Sequence, residues 1–309
     1  MSKTDITIVG VGNIGAAIVK KWLEKGFTVT MWNRNPDRPW LKDLSNLGAI
    51  FEHDLKAAIA NSDIIILSVS AYSNITEFFS PILPLKEGQP PKTIINITTG
   101  TPQQAREMET WLKTHGVAEY LDGAIMVTPE LVGTEHSSVW LSGETEAAFF
   151  KVSSIMSPIG RSHYVAEDPG AASLWDIAAL AAMDGMLTGG LLAMNLLRRQ
   201  KKAPDGKAPS VENPIRKIVV PLLSSFLPFL GDIAAALDDE DWGRNFGNPV
   251  SMQLKGFETI LEGLKQEKVS TESLQLFHHL LLRTREREGR RCWVSTYGHV
   301  HARGIIHLP

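Results

Sequence analysis

The N-terminal segment joins a short apolar run to three closely spaced glycines. Ile6–Val9 has the pattern of a strand, and the glycines follow at once as G-x-G-x-x-G, at Gly10, Gly12 and Gly15. A helical pattern over residues 13–25 begins inside the motif. A strand, a glycine-rich turn and a helix in this order are typical of the first unit of a doubly wound α/β sheet.

The rest of the first half continues this alternation. Strand patterns lie at residues 28–32, 64–69 and 93–97, and helical patterns lie at residues 55–61 and 102–115. Further strand patterns are found at residues 119–127, 138–141 and 161–165. Alternating strands and helices predict a mostly parallel sheet. We therefore expect an N-terminal α/β domain of the Rossmann type over residues 1–166.

The pattern changes at Asp168-Pro169, which suits the start of a helix. The apolar run continues to about Gln200, and a helix of that length would be roughly 45 Å long, too long for one small domain. The later patterns are all helical, at residues 214–226, 228–237, 250–266 and 271–287. Residues 167–309 are therefore expected to form a long interdomain helix and an all-α domain.

Part of the long helix, residues 177–197, is about as long as a membrane span. Asp184, Thr188 and Asn195 interrupt it, and we expect no second span. The sequence therefore predicts a buried helix of a soluble protein with no membrane partner. The start of the chain has no basic stretch before an apolar one, so we expect no signal peptide and a cytoplasmic protein.

Composition excludes other classes of partner. The net charge of −3 gives no basic footprint for nucleic acid. The single cysteine, Cys292, cannot form an internal disulfide and suits a reducing compartment. Three histidines in the tail, His299, His301 and His307, have no accompanying set of carboxylates or cysteines, so we expect no metal site.

The glycine motif in this position indicates a dinucleotide site. Gly10 would make the tight turn, Gly12 would let a pyrophosphate approach the backbone, and Gly15 would let helix and strand pack closely. The end of the second strand reads Trp32-Asn33-Arg34-Asn35, without the carboxylate that binds a ribose 2′-hydroxyl.

Arg34, with Arg38 one turn later, could instead hold a 2′-phosphate, which favours NADP(H). The alternative is that these arginines are solvated loop charges. Thr98 and Thr99 follow a strand at the edge of the sheet where ligands bind, and could reach a nicotinamide or a substrate.

Several of these segments together resemble one family, the imine reductases and reductive aminases, which are relatives of the β-hydroxyacid dehydrogenases. The resemblance is carried by the glycine motif, Trp32-Asn33-Arg34, residues 96–102 and 120–129, Asp168-Pro169-Gly170, and Ser251-Met252-Gln253-Leu254. It implies a homodimer with interlocked helical domains, in which NADPH gives hydride to an imine or iminium carbon. In some members a carbonyl compound and an amine condense on the enzyme first.

The resemblance also implies site residues. The expected cofactor-binding residues are Gly10, Gly12, Asn13, Ile14, Gly15, Asn33, Arg34, Asn35, Arg38, Val69, Thr98 and Thr99. The expected substrate pocket consists of Thr99, Met126, Asp184, Phe229, Met252 and Gln253.

Asp176 is the expected catalytic residue. The β-hydroxyacid dehydrogenases carry a lysine early in the long helix, at a position that is Leu174 here, and no lysine precedes Lys201 in the helix. Asp176 lies where many imine reductases have an aspartate, and a carboxylate can stabilise an iminium cation or relay a proton. The alternative is a buried carboxylate with a purely structural role.

Two positions depart from the family. Several reductive aminases have a tyrosine where this chain has Asp184, and some relatives have an asparagine where it has Thr99. Asp184 could select a substrate with a second cationic group, or it could form an interdomain ion pair.

These departures bear on reductive amination more than on imine reduction. Two other functions stay open on sequence grounds: a β-hydroxyacid dehydrogenase with a displaced acid, and a non-catalytic NADP(H)-binding sensor.

Overall fold

The computed structural model describes residues 4–84, 90–202, 204–241, 244 and 246–288 of the 309-residue chain. The contacts within the chain define two units, Met1–Ala182 and Met183–Pro309, which divide inside one long helix. The boundary expected from sequence, after residue 166, stays a prediction.

Eight strands form one sheet in the first unit, in the order β3-β2-β1-β4-β5-β6-β7-β8. All neighbouring strands are parallel except β6 and β7, so the expected doubly wound, mostly parallel sheet is confirmed. The strands are β1 (Ile6–Val9), β2 (Val29–Trp32), β3 (Ile50–Phe51), β4 (Ile64–Leu67), β5 (Thr93–Asn96), β6 (Glu119–Met126), β7 (Ser138–Ser142) and β8 (Arg161–Tyr164).

Among the described residues, six α-helices connect the strands. They are α1 (Asn13–Glu24), α2 (Pro39–Asn46), α3 (Leu55–Ala60), α4 (Tyr72–Phe79), α5 (Pro102–Thr114) and α6 (Glu146–Met156). Local sequence explains several starts: Thr101 and Gln104 form a capping box on α5, and Asp54 caps α3. The sequence patterns do not predict β3, α2, α4 or α6, which are short or have weak periodicity.

The core lies on both faces of this sheet. Ile6 and Ile8 belong to the cluster on one face, with Trp22 of α1, while Val9 belongs to the cluster on the other, with Tyr120. This alternation follows from the two-residue period of a strand. The Trp22 indole N–H donates to the carbonyl oxygen of Ile155 at 2.7 Å, which ties α1 to α6.

The described elements that follow are helical: α7 (Gly170–Leu197), α8 (Glu212–Pro214), a π-helical turn (Ile215–Val219), α9 (Val220–Asp238), α10 (Val250–Gln266) and α11 (Glu272–Glu288). Two separate helices were expected on either side of residue 227. The structure instead has Pro228 inside the single helix α9.

The expectation of no second membrane-length segment is wrong, whereas burial of the long helix in a dimer stays a prediction. Within this chain four residues of α7 are buried, Gly170, Ala172, Ser173 and Asp176. A second segment, Glu212–Asp238, is also long and apolar enough to span a membrane by length and composition. Both helices therefore present apolar side chains that this chain alone does not cover.

Candidate active site

Two adjoining cavities lie in the first unit, where the loops after the parallel strands meet. The larger one, of about 460 Å³, is lined by residues that include Gly12, Ser68 and Thr99. The smaller one, of about 170 Å³, also contains Gly12 and Ser68 and extends to Arg34 and Arg38. Ligands bind at this edge in open α/β sheets, because the strand order reverses there.

The three motif glycines serve different steric needs. Gly10 has φ +93°, and a Cβ there would overlap the Ser68 carbonyl oxygen and lie 2.8 Å from Val69 Cγ1. A Cβ on Gly15 would lie 2.6 Å from the Gly10 carbonyl oxygen. At Gly12 a Cβ would meet no atom of the described chain within 4 Å. Folding therefore requires glycine at positions 10 and 15, whereas Gly12 keeps space free at the cavity.

The N-terminus of helix α1 supplies polar groups to the open space beside Gly12. Gly12 is its N-cap, and no side chain caps the helix. The first backbone N–H groups of a helix have no partner inside the helix and favour an anion. An open approach at Gly12 and an uncapped helix start together fit a dinucleotide pyrophosphate.

The end of β2 forms the wall of the smaller cavity. Asn33 accepts from the Val11 N–H at 3.0 Å and donates to the Asn35 carbonyl oxygen at 2.7 Å, so it braces the glycine loop. Arg34 is exposed, with Nη1 3.8 Å from Glu77 Oε2. Arg38 is also exposed, and its guanidinium lies 5.4 Å from the Trp40 ring centroid. Both guanidinium groups are thus available to an anionic ligand.

Asp176 lies in the first two turns of α7 and is only 4% exposed. The Thr99 hydroxyl lies beside its carboxylate, and Thr99 itself lines the larger cavity. Burial raises the pKa of Asp176, and the Thr99 hydrogen bond partly opposes that rise. Both residues were expected in the site, and the structure places their side chains beside each other.

Most of the expected cofactor-binding residues line the two cavities, but Thr98 does not. Thr98 is buried, and its hydroxyl accepts from the Val69 N–H at 3.2 Å, so it holds the loop together. Among the expected substrate residues, Met126 is half-buried at the end of β6, whereas its neighbours Ile125 and Val127 line the cavity.

Sequence reasoning also missed lining residues, namely Ser68, Ser70, Ile97, Ile125 and Val127 in the larger cavity, and Trp32, Asn74 and Phe78 in the smaller one. Ser68 and Ser70 directly follow β4, so the rule that ligands bind beyond the carboxyl ends of strands could have found them.

The remaining expected substrate residues belong to the second unit. Asp184 is exposed on α7 and Met252 is 63% exposed on α10. Phe229 packs edge-on against Phe246 at 5.1 Å, and the Gln253 side chain donates to the Asn248 carbonyl oxygen at 2.7 Å. Their role in a substrate pocket stays a prediction.

Within the described residues no group of three or more histidine, cysteine, aspartate or glutamate side chains could hold a metal ion. The tail histidines and Cys292 lie outside those residues, so the expectation for the tail stays a prediction.

Comparisons with known proteins agree with this geometry. Residues 5–166 match the NAD binding domain of 6-phosphogluconate dehydrogenase. The chain is 31% identical over 274 residues to an NADPH-dependent reductive aminase of Aspergillus oryzae, covering 89% of this chain and 88% of that protein. The chain belongs to the imine reductase and reductive aminase family.

Solved structures of the family have the same fold. A reductive aminase from Aspergillus terreus in complex with NADPH and ethyl levulinate is 30% identical, with a TM-score of 0.83 over 97% of this chain and 100% of that one. An imine reductase from the same species, in complex with NADPH4 and dibenz[c,e]azepine, is 30% identical with a TM-score of 0.81, over 96% and 99% of the two chains. The chain therefore has the same architecture as these two structures, an α/β domain followed by a helical region.

Proposed function

We propose that the chain uses NADPH to reduce the C=N bond of imines and iminium ions to amines, and that it also accepts a carbonyl compound with an amine. The observation that carries this proposal is the buried Asp176 carboxylate, which lies beside Thr99, a residue that lines the cofactor cavity. Helix α7 carries no lysine, arginine or histidine, so a cation has no competing basic group on that helix.

The chemistry of this site suits a cationic substrate. NADPH, when bound, supplies the hydride that adds to the substrate carbon. An ionised Asp176 stabilises the positive charge of an iminium ion, and the low polarity of its surroundings strengthens that attraction. In its protonated form Asp176 can give a proton to an imine nitrogen, and burial favours that form by raising the pKa.

The residues present fit the phosphorylated cofactor. The open space at Gly12 and the uncapped start of α1 suit the pyrophosphate, and Arg34 and Arg38 at the smaller cavity suit the 2′-phosphate. No carboxylate follows Trp32 at the position that would bind an unphosphorylated ribose.

Consumption of NADPH with a cyclic imine such as 1-pyrroline tests the proposed reaction. Asp176→Asn keeps the size of the side chain, and we expect it to lower kcat by about 100-fold or more while the Kd for NADPH stays within about twofold. Asp43→Asn, which makes the same change on the exposed face of α2, is the matched control with unchanged kinetics.

The outcomes separate the functions. Reduction of NADP⁺ by small 3-hydroxy acids without turnover of the imine would contradict imine reduction. Binding of NADPH with neither activity would favour a sensor. Wild-type kcat in Asp176→Asn would remove Asp176 from the mechanism.

The substrate pocket is a second part of the proposal. Thr99 and Met126 would form its wall in the α/β domain, and Asp184, Phe229, Met252 and Gln253 would complete it. An exposed carboxylate among exposed methionine and leucine side chains of α7 supports a role for Asp184 toward a second cationic group. We expect Asp184→Asn to raise KM for an imine that carries a second ammonium group more than KM for 1-pyrroline; equal changes would favour an ion pair within the protein.

We also propose a homodimer, with no membrane partner and a cytoplasmic location. Leu191 of α7 is 60% exposed, and Phe226 and Leu230 of α9 are 59% and 60% exposed, so these helices need an apolar partner. A second copy supplies one, because each copy carries the same pair of helices. The single cysteine agrees with a reducing compartment.

Sedimentation in buffer without detergent should give the mass of two chains. A chain that stays in solution only with detergent or vesicles would contradict this assembly and favour a membrane. The proposed domain boundary after residue 166 is supported by the end of the matched NAD-binding domain and by the start of α7 at Gly170.

A further inference from the structure

A buried group of hydrogen-bonded side chains lies behind the cavity wall, centred on Asp122 of β6. Asp122 is fully buried, and its Oδ2 accepts from the hydroxyls of Tyr72 and Tyr120, both at 2.6 Å, and from the Asn96 amide at 3.0 Å. Its Oδ1 accepts from the Ser173 hydroxyl at 2.7 Å. None of these five residues is among the expected cofactor-binding or substrate residues.

The first path from Asp122 leads to α7. Ser173 is 2% exposed and stands one helical turn before Asp176. Its hydrogen bond to Asp122 therefore fixes the start of α7 to the central part of the sheet. The end of β7 adds a second support, because Ser142 donates to the Pro169 carbonyl oxygen at 2.8 Å and accepts from the Ala172 N–H at 3.0 Å.

The second path leads to the loop after β5. The Asn96 amide nitrogen donates to Asp122, while its Oδ1 accepts from the Thr98 N–H at 3.0 Å. Thr99 follows directly, and its hydroxyl lies beside the Asp176 carboxylate. The two paths from Asp122 therefore end on the two partners of a single contact, Asp176 with Thr99.

The residue type at position 122 is informative. A buried carboxylate costs folding free energy, and an apolar residue of similar size is often more stable. Four donors converge on the two oxygens of Asp122, which only a carboxylate can accept together, since an amide has a single acceptor oxygen. Burial raises the pKa of Asp122 to about 6 despite these donors.

We propose that Asp122 is a positioning residue, which holds Asp176 against Thr99 by fixing α7 through Ser173 and the β5 loop through Asn96. The proposal rests on the proposed function only in that Asp176 acts in imine reduction. The positioning itself concerns the geometry of the chain and can be measured without turnover.

Three variants of the full chain test it. Ser173→Ala cuts the path to α7, and Asp122→Asn weakens both paths. Tyr72→Phe removes one donor to Asp122 but leaves the Ser173 and Asn96 donors to Asp122 in place. We expect Ser173→Ala and Asp122→Asn to lower kcat with 1-pyrroline by about tenfold or more, with KM for NADPH within about twofold, because small misplacements of a reacting group are costly. Tyr72→Phe should keep kcat within about twofold.

Amide hydrogen exchange gives a readout that does not depend on activity. We expect faster exchange of residues 170–176 in both Ser173→Ala and Asp122→Asn, and faster exchange of residues 98–99 in Asp122→Asn. Tyr72→Phe should keep the wild-type exchange of all these residues. If Asp122→Asn does not fold, Ser173→Ala alone decides the question.

Failure of the proposed function and failure of the positioning proposal give different results. A wild-type chain that turns over no imine refutes the proposed function, and the exchange data then still decide the positioning. Unchanged exchange in Ser173→Ala refutes the positioning. So does a Tyr72→Phe variant that loses as much kcat as Ser173→Ala, since the group would then act only as a general support of the core.

Discussion

The open space at Gly12 makes Gly12→Ala a sharp test of the cofactor site. The added Cβ meets no atom of the described chain within 4 Å, and Gly12 has φ −77°, which alanine adopts without strain. Alanine is a poorer N-cap than glycine by up to about 1 kcal/mol. It also restricts the unfolded chain, which stabilises by about 0.4–1 kcal/mol. We therefore expect the free energy of unfolding without ligand to change by less than about 1 kcal/mol.

The effect on binding should be much larger, because the Cβ occupies the approach of the pyrophosphate to the backbone. Suppose that Kd for NADPH rises by about 100-fold. At an NADPH concentration of about 1,000 times the wild-type Kd, the ligand stabilises the wild type by about 4.1 kcal/mol and the variant by about 1.4 kcal/mol. The variant should thus lose about 2.7 kcal/mol of stabilisation that appears only with ligand.

Urea unfolding with and without NADPH, with Kd from calorimetric titration, measures both quantities. Gly15→Ala is the matched control, since its Cβ would lie 2.6 Å from the Gly10 carbonyl oxygen and should destabilise the chain without any ligand. The reasoning is refuted if Gly12→Ala destabilises the free chain as much as Gly15→Ala does, or if NADPH stabilises the Gly12→Ala variant as it stabilises the wild type.

Other predictions follow from single contacts. Trp22→Phe leaves the buried Ile155 carbonyl oxygen without its donor, and should lower the free energy of unfolding by about 1–3 kcal/mol in urea titrations. Because the pKa of Asp122 is raised from 3.8 to about 6 in the folded chain, the folded state binds more protons than the unfolded state between these values. The free energy of unfolding of wild type relative to Asp122→Asn should therefore fall as pH rises through that window; a rise would contradict the assignment. Arg34→Ala should raise KM for NADPH by about tenfold and leave KM for NADH nearly unchanged, whereas Lys42→Ala, outside the cavities, should change neither.

Part of the fold could be predicted because it depends on local patterns. Strands β1, β4 and β5 are short runs of mostly apolar residues, which are buried on both faces of the sheet. Such runs can be recognised without tertiary information. The glycine motif was recognisable because its spacing meets steric needs that are local to one turn and one helix. Asp176 stood out because charge is rare in an apolar helix, and family resemblance then supplied its role.

Other features depend on segments that are distant in the chain. The Thr98 hydroxyl accepts from the Val69 N–H, a contact that no sequence spacing shows, and its role toward a cofactor stays a prediction. Pro228 looked like a helix break, yet it lies inside α9. Proline weakens a helix locally, but packing and the neighbouring turns can outweigh that cost.

The sequence was therefore sufficient for the alternating architecture, the dinucleotide motif and the carboxylate of the long helix, since each depends on residues close together in the chain. Tertiary structure was needed to show that Thr99 lies beside Asp176, and that Asp122, Asn96 and Ser173 join the sheet to the loop and the helix that carry them. The physical reason is that a hydrogen bond requires an approach of about 3 Å, which only the packing of distant strands and helices can set.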